Sequence, residues 1–192
     1  PSGEIEAWRV VRAWVRLGHT TERLRRPKTT AQALRYVWTP RVAGVATIAI
    51  ELGPRSLELK PNQVKEYFDE IHAGSAIIAQ WDSIPAPRRW RESYVKHATS
   101  YVRVGTPRSD SSWATPLGLG LEIVPESSPT EITAGETLPV RVLLNGSPLA
   151  DFSIGARLEG RSKSAFVTTD ASAPAPIVFP AKGPGLSIVT LL

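Results

Sequence analysis

The sequence predicts a mainly β protein whose C-terminal part is an immunoglobulin-like sandwich. Three observations carry this. Val140, Val142 and Leu144 alternate with Arg141 and Leu143 and are followed by Asn145-Gly146. Asn-Gly readily enters the positive-φ geometry of a tight primed turn, so this stretch marks a β-hairpin. From Leu117 onward short apolar runs recur between Gly and Pro residues, the punctuation of a sandwich of short strands. Proline supplies 17 of 192 residues, well above the roughly 5% average, which favours loops and strand edges over long helices.

Along the chain, Ile5 to Leu17 places Trp8, Val10, Arg12, Trp14 and Arg16 on one parity and Ala7, Arg9, Val11, Ala13, Val15 and Leu17 on the other. Aromatic and β-branched enrichment makes this a long strand, with a helix as the competing reading because Arg and Ala are good helix formers. Arg23 to Thr30 is a basic loop. Leu34–Trp38 reads as a strand stopped by Thr39-Pro40. Ala43–Leu52 reads as a buried strand closed by Gly53-Pro54, and Ser56–Leu59 as a short one. A helical pair is expected near 62–82. Pro61 opens it, and Val64, Phe68 and Ile71 form one apolar stripe. Gly74 suits a left-handed C-cap, and Ser75 an N-cap for a second helix with Ile77, Ile78 and Trp81 on its apolar side. Trp90 to Gly105 is expected to be a long strand, although Tyr94, Ala98, Tyr101 and Val102 would also share a helical face. Further strands are expected near 119–124, 137–144, 149–158, 164–168, 176–179 and 186–192. The last ends in mid-strand, so the native sequence is expected to continue or the strand to be an exposed edge.

Charge divides the chain. Residues 1–110 carry 18 Lys/Arg against 11 Asp/Glu, whereas residues 111–192 carry 5 against 7. That asymmetry suggests two domains: an N-terminal β lobe over 1–105, a polar linker over 106–115, and a C-terminal sandwich over 116–192. The 42% hydrophobic and 21% charged content is that of an ordinary globular protein. No run approaches the roughly 18 apolar residues of a membrane helix, so the segment is not integral to a bilayer. With no cysteine, disulfides, thiolate metal sites and a cysteine nucleophile are excluded.

Several phrases together resemble a known family. They are Val15-Arg16-Leu17-Gly18-His19, Leu57-Glu58-Leu59 with the helical pair after it, Arg91-Glu92-Ser93-Tyr94 running on to Tyr101-Val102-Arg103-Val104-Gly105, Pro116 to Pro125 (PLGLGLEIVP), and Ala134 to Leu143 (AGETLPVRVL). Their order and spacing resemble Gram-negative proteins of unknown function often labelled NikM-like, after a nickel-transport subunit. The resemblance implies a periplasmic or secreted protein of two β-sandwich lobes, the first with a short helical insertion, the second similar to transthyretin-like modules. It also implies a link to nickel or cobalt uptake. Members typically carry a His- and Trp-containing segment just after the signal peptide, and Pro1-Ser2-Gly3-Glu4 lie past it.

The candidate sites are few. His19, His72 and His97 are the only histidines, and no two share a helix face at i, i+3 or i, i+4. The best metal candidate groups His72 with Asp69 and Glu70, joined by His97; such ligands suit divalent nickel or zinc. Trp90, Trp113 and His19 are candidate partner or ligand contacts, because the two tryptophans flank the linker in polar stretches. No catalytic residue is assigned: there is no Gly-x-Ser-x-Gly elbow and no HExxH. Two basic clusters, Arg23/Arg25/Arg26/Lys28 and Arg88/Arg89/Arg91 beside Trp90, lack a nucleic-acid-binding motif and read as solvated faces. The resulting expectation is a non-enzymatic extracytoplasmic binding or accessory protein for another envelope protein or a small ligand. The alternative is a carbohydrate-binding or surface-adhesion module.

Overall fold

Residues 7–30, 33–106, 109–133, 135–158, 165–178 and 186–190 are described by the computed structural model. They form a mainly β protein with several antiparallel sheets and two short helices. The strand expected from Ile5 starts later: Ala7–Arg9 make one 3-10 turn and β1 spans Val10–Leu17. Both of its faces are covered over Ala13-Trp14-Val15, which is why apolar residues occupy both parities there. β2 (Thr20–Arg23) folds back on β1 from Leu17↔Thr20 to Trp14↔Arg23. The expected basic loop contains β3 (Lys28–Thr29), which pairs with β4 (Leu34–Arg35). The strand expected over Leu34–Trp38 stops at Arg35, since β3 offers only two residues to pair with. Trp38 instead packs beside Val15, Leu17 and Ala46.

β5 runs unbroken over Gly44–Leu59. Gly53-Pro54 does not close it but forms a bulge, with the register shifting between Leu52 and Arg55. A bulge can absorb a proline that has no N–H to give to the ladder. β6 (Trp90–Val104) pairs with β5 from Gly44↔Val104 to Leu59↔Trp90, completing a sheet of order β2-β1-β5-β6. β1 reaches only as far as Leu52, so beyond Arg55 the β5–β6 pair continues as a two-stranded ribbon. Its turn is replaced by α1 (Pro61–Glu70) and α2 (Ser75–Ser83).

The helix caps differ from expectation. Gly74, at φ −64, is the N-cap of α2 rather than the C-cap of α1, and Ser75 is the first helical residue. The left-handed residue is His72 (φ 52), after which the Ala73 N–H closes on the Phe68 carbonyl. The helices follow each other too closely for Gly74 to finish one before starting the next.

The C-terminal strands are β7 (Leu121–Pro125), β8 (Thr137–Leu144), β9 (Ser147–Pro148), β10 (Ser153–Leu158), β11 (Ala165–Thr168), β12 (Ala175–Val178) and β13 (Leu186–Thr190). They make two sheets, β12-β8-β7 with β9 on β8, and β11-β10-β13. Asn145 (φ 51) and Gly146 (φ 83) form the expected two-residue turn, with Leu144 opposite Ser147. The strand expected over 149–158 breaks at Asp151 (φ 54), where the chain leaves one sheet for the other. Leu138, Val140 and Val142 of β8 and Ala175 and Ile177 of β12 pack against Ile154 and Ala156 of β10. Each large aliphatic side chain so buried contributes on the order of 2 kcal/mol. The start of the strand expected near 164–168 and the end of the last expected strand lie outside the described residues. Among the described residues no helix is long and apolar enough to cross a membrane.

Candidate functional site

Strand register builds a junction on one face of the first sheet. Three rows of neighbours cross β1, β5 and β6: Arg12–Glu51–His97, Trp14–Ala49–Thr99 and Arg16–Thr47–Tyr101. The loop from Pro116 to Gly120 lies over them, and Leu117 and Leu119 pack on Trp14 and Ala49. Beside this contact the Arg16 guanidinium donates to the carbonyls of Ser112 (2.7 Å), Pro116 (3.2 Å) and Thr115. Glu122, only 5% exposed, accepts the N–H groups of Leu117, Gly118 and Leu119 at 2.5, 3.0 and 3.3 Å. Three successive N–H groups can converge on one carboxylate because Gly118 takes φ 78.

Asp110 completes the junction by accepting from the Val45 N–H (2.6 Å) and the Ser112 N–H (2.9 Å). Gly44 makes this possible: a Cβ there would sit 2.5 Å from Asp110 Oδ2. Burial pushes the Asp110 carboxyl up. The N–H groups of Val45 and Ser112, the Ser112 side chain and the charge of His19 outweigh it and hold the group below its ordinary value. Burial lowers the Arg16 guanidinium, opposed by Glu122, Tyr101 and Asp110. Burial and then Glu122 raise the Tyr101 phenol well above the usual range, against Arg16. The acids of this junction are occupied by backbone donors, and its contacts tie the segment from Asp110 to Leu119 to the first sheet. Residues 109–115 are correspondingly anchored to the first sheet.

The second feature is the ribbon tip. Val64 and Phe68 of α1 and Trp81 of α2 bury against Leu59 and Trp90 at the last pair of the ribbon. Phe68 meets Trp90 edge-on at 4.8 Å and Trp81 at 6.4 Å between ring centroids. Glu92 accepts from Tyr67 Oη (2.5 Å) and Trp90 Nε1 (2.7 Å), tying helix to strand. Arg88 lies 4.3 Å over the Trp81 ring and donates to the carbonyls of Trp81 and Ile84. Arg89 and Arg91 share Glu58 at 2.9 and 2.8 Å. α2 buries only Trp81, leaving Ile77, Ile78 and Ile84 at 39%, 41% and 42% exposed. The 14 residues from Gly74 to Pro87 carry a single charge, Asp82, which faces Arg88 at 3.7 Å.

The residues expected to bind metal do not meet. His72 stacks on Phe166 of β11, with ring centroids 3.6 Å apart, while Asp69 and Glu70 are exposed at the end of α1. His97 lies on β6 in the row of Glu51, where a Cβ on Gly120 would be 3.5 Å from its Cε1. Among the described residues no three His, Asp or Glu side chains form a group able to hold a metal ion. Trp90 is half-buried inside the tip. Trp113 is half-buried at the junction, donating to the Asp110 carbonyl at 2.6 Å. His19 is exposed and acts on Asp110. Sequence reasoning passed over Arg16, Glu92 and Glu122. For Glu122 a signal existed, because it shares the inward parity of Val124 in an otherwise apolar strand.

Residues 19–184 match the family described as Domain of unknown function (DUF4198), and the chain belongs to that family. No curated protein and no solved structure matches the chain. The sequence phrases that carried the resemblance supply Arg16, Tyr101 and Glu122, which converge at the junction, and Glu58 and Glu92, which brace the tip.

Proposed function

We propose that the protein is a non-enzymatic extracytoplasmic accessory component that docks onto another envelope protein through the α1–α2 tip. The observation behind this reading is that the apolar side of α2 is only partly covered. Trp81 is locked there by the Phe68–Trp90 cluster and by Arg88, while Ile77 and Ile78, four and three residues before it, and Ile84 just after the helix stay partly exposed on a nearly uncharged segment. A rigid apolar projection suits a helix-in-groove contact, because little conformational freedom remains to be lost on binding. The junction supports the same role by fixing the ribbon to the sandwich, so that the tip has a set direction.

Periplasmic location and a connection to nickel or cobalt uptake rest on the resemblance to NikM-like proteins. In this reading the metal is the cargo of the partner system and no step passes through His72 or His97. The glycan-binding alternative needs indole faces on the surface. Trp8 alone of the six tryptophans is strongly exposed, at 76%, whereas Trp90 and Trp113, the expected contacts, direct their N–H groups to Glu92 and Asp110.

The test is a photoreactive benzoylphenylalanine placed at position 77, or at exposed Ser172 in the turn between β11 and β12, in cells of the native host. Docking through α2 gives one discrete adduct from position 77 and none from 172. The same pattern at both positions, or no adduct at 77, would sink the reading.

A further inference from the structure

The first sheet carries a groove at the opposite side of β1 from the ribbon. β2 ends at Arg23, opposite Trp14, and the Leu24 N–H adds one bond to the Ala13 carbonyl before the chain turns away. Val10, Val11 and Arg12 are therefore left without a neighbouring strand on that side among the described residues. The space between them and the departing chain is a groove of about 410 Å³. Its walls include Val10, Val11, Leu24, Pro27 and Tyr36, and its rim carries Arg23, Arg25 and Arg26. That volume lies within the range of roughly 300–1,000 Å³ typical of small-molecule sites.

Among the described residues most of the positive charge around this groove has no ion-pair partner. Arg12 is held by Glu51 at 2.9 Å and stacks over Trp14, but Arg23, Arg25 and Arg26 have no acidic partner among the described residues. Arginines lining a groove are suited to a phosphate or carboxylate, which a guanidinium can engage through paired N–H···O bonds. Arg26 also takes φ 53 immediately before Pro27, so the rim is held in a turn that arginine seldom adopts.

We propose that this groove binds an amphiphilic anion, its phosphate or carboxylate head on Arg23, Arg25 and Arg26 and its apolar body along Val10, Val11, Leu24 and Tyr36. The site is separate from the α1–α2 tip, and neither reading depends on the other. The head group could belong to a free metabolite-sized amphiphile or to an anionic lipid, and the experiment separates these sources.

Binding is measured by calorimetry with octyl phosphate below its micelle concentration, and by co-sedimentation with vesicles of phosphatidylcholine with or without phosphatidylglycerol. The chain should bind octyl phosphate, and Arg23→Gln/Arg26→Gln should bind it roughly tenfold or more weakly, having lost two charge-assisted contacts. Val11→Asp, at an already exposed position, should weaken it too. Binding to octyl phosphate alone assigns a free ligand; sedimentation with phosphatidylglycerol vesicles as well assigns a lipid head group. The proposal falls if neither probe binds, if octyl trimethylammonium or inorganic phosphate binds as tightly, or if the double arginine variant is unchanged. Circular dichroism of both variants should match the parent, since every substituted side chain is exposed.

Discussion

Replacing Glu122 tests how the loop from Pro116 to Gly120 is held over the first sheet. In Glu122→Ala three N–H groups lose their shared acceptor, and one of them belongs to the fully buried Leu119. A buried donor left unpaired costs about 1–3 kcal/mol. Water can reach the Gly118 N–H more easily, since that residue is exposed, so the three together come to roughly 3–4 kcal/mol. Arg16, whose hydrogen bonds go to carbonyls, also loses the opposing charge that acts on it most strongly. The expected loss of roughly 3–5 kcal/mol is a large part of the 5–15 kcal/mol that stabilises a typical domain. Glu122→Gln keeps the shape and one acceptor oxygen, and should cost about half as much. Urea unfolding gives both values, and a double-mutant cycle with Arg16→Gln isolates the coupling. A Glu122→Ala chain within 1 kcal/mol of the parent, with unchanged urea sensitivity, would refute this view of the junction.

Other substitutions probe neighbouring points. Gly44→Ala brings a Cβ within 2.5 Å of Asp110 Oδ2 and 2.7 Å of Leu17 Cδ1, and should lower stability by about 1–3 kcal/mol by urea unfolding. Asp110 titrates below its ordinary value when folded, so it adds stability above the unfolded aspartate range near pH 4 and loses it as pH falls through the folded value. Asp110→Asn should therefore flatten the acid limb of stability against pH and leave its slope between pH 6 and 8 unaltered. Trp81→Ala empties the centre of the tip and should cost roughly 3–5 kcal/mol. By contrast, Ile77→Asp/Ile78→Asp, at side chains 39% and 41% exposed and outside the aromatic cluster of the tip, should lower stability by only about 1 kcal/mol per substitution.

Local chemistry was legible where one or two residues dictate the backbone. The Asn145-Gly146 turn and the apolar stripe of Val64 and Phe68 follow directly from φ preference and periodicity, while the strand from Trp90, whose periodicity also fits a helix, follows from the strand-like composition of Tyr101 to Val104. Gly53-Pro54 was misread because the same dipeptide can end a strand or bulge within one. The choice depended on β6, whose partner residues lie some 40 positions away. His72 was grouped with Asp69 and Glu70 by sequence proximity and His97 added to them, yet His72 stacks on Phe166 and His97 lies beside Gly120, contacts set by tertiary packing. Glu122 was hidden for a related reason. Its acceptors' partners are backbone N–H groups, which carry no residue identity, and only its parity with Val124 betrayed it.

The docking role meets its most direct test in the size of the native assembly. Membranes and periplasm of the native host, gently extracted, are separated by native electrophoresis for the parent and for Ile77→Asp/Ile78→Asp. The parent should migrate within a complex larger than the chain alone, and the variant, folded and equally abundant, should migrate at the size of the free chain. Identical migration of the two would contradict docking through α2.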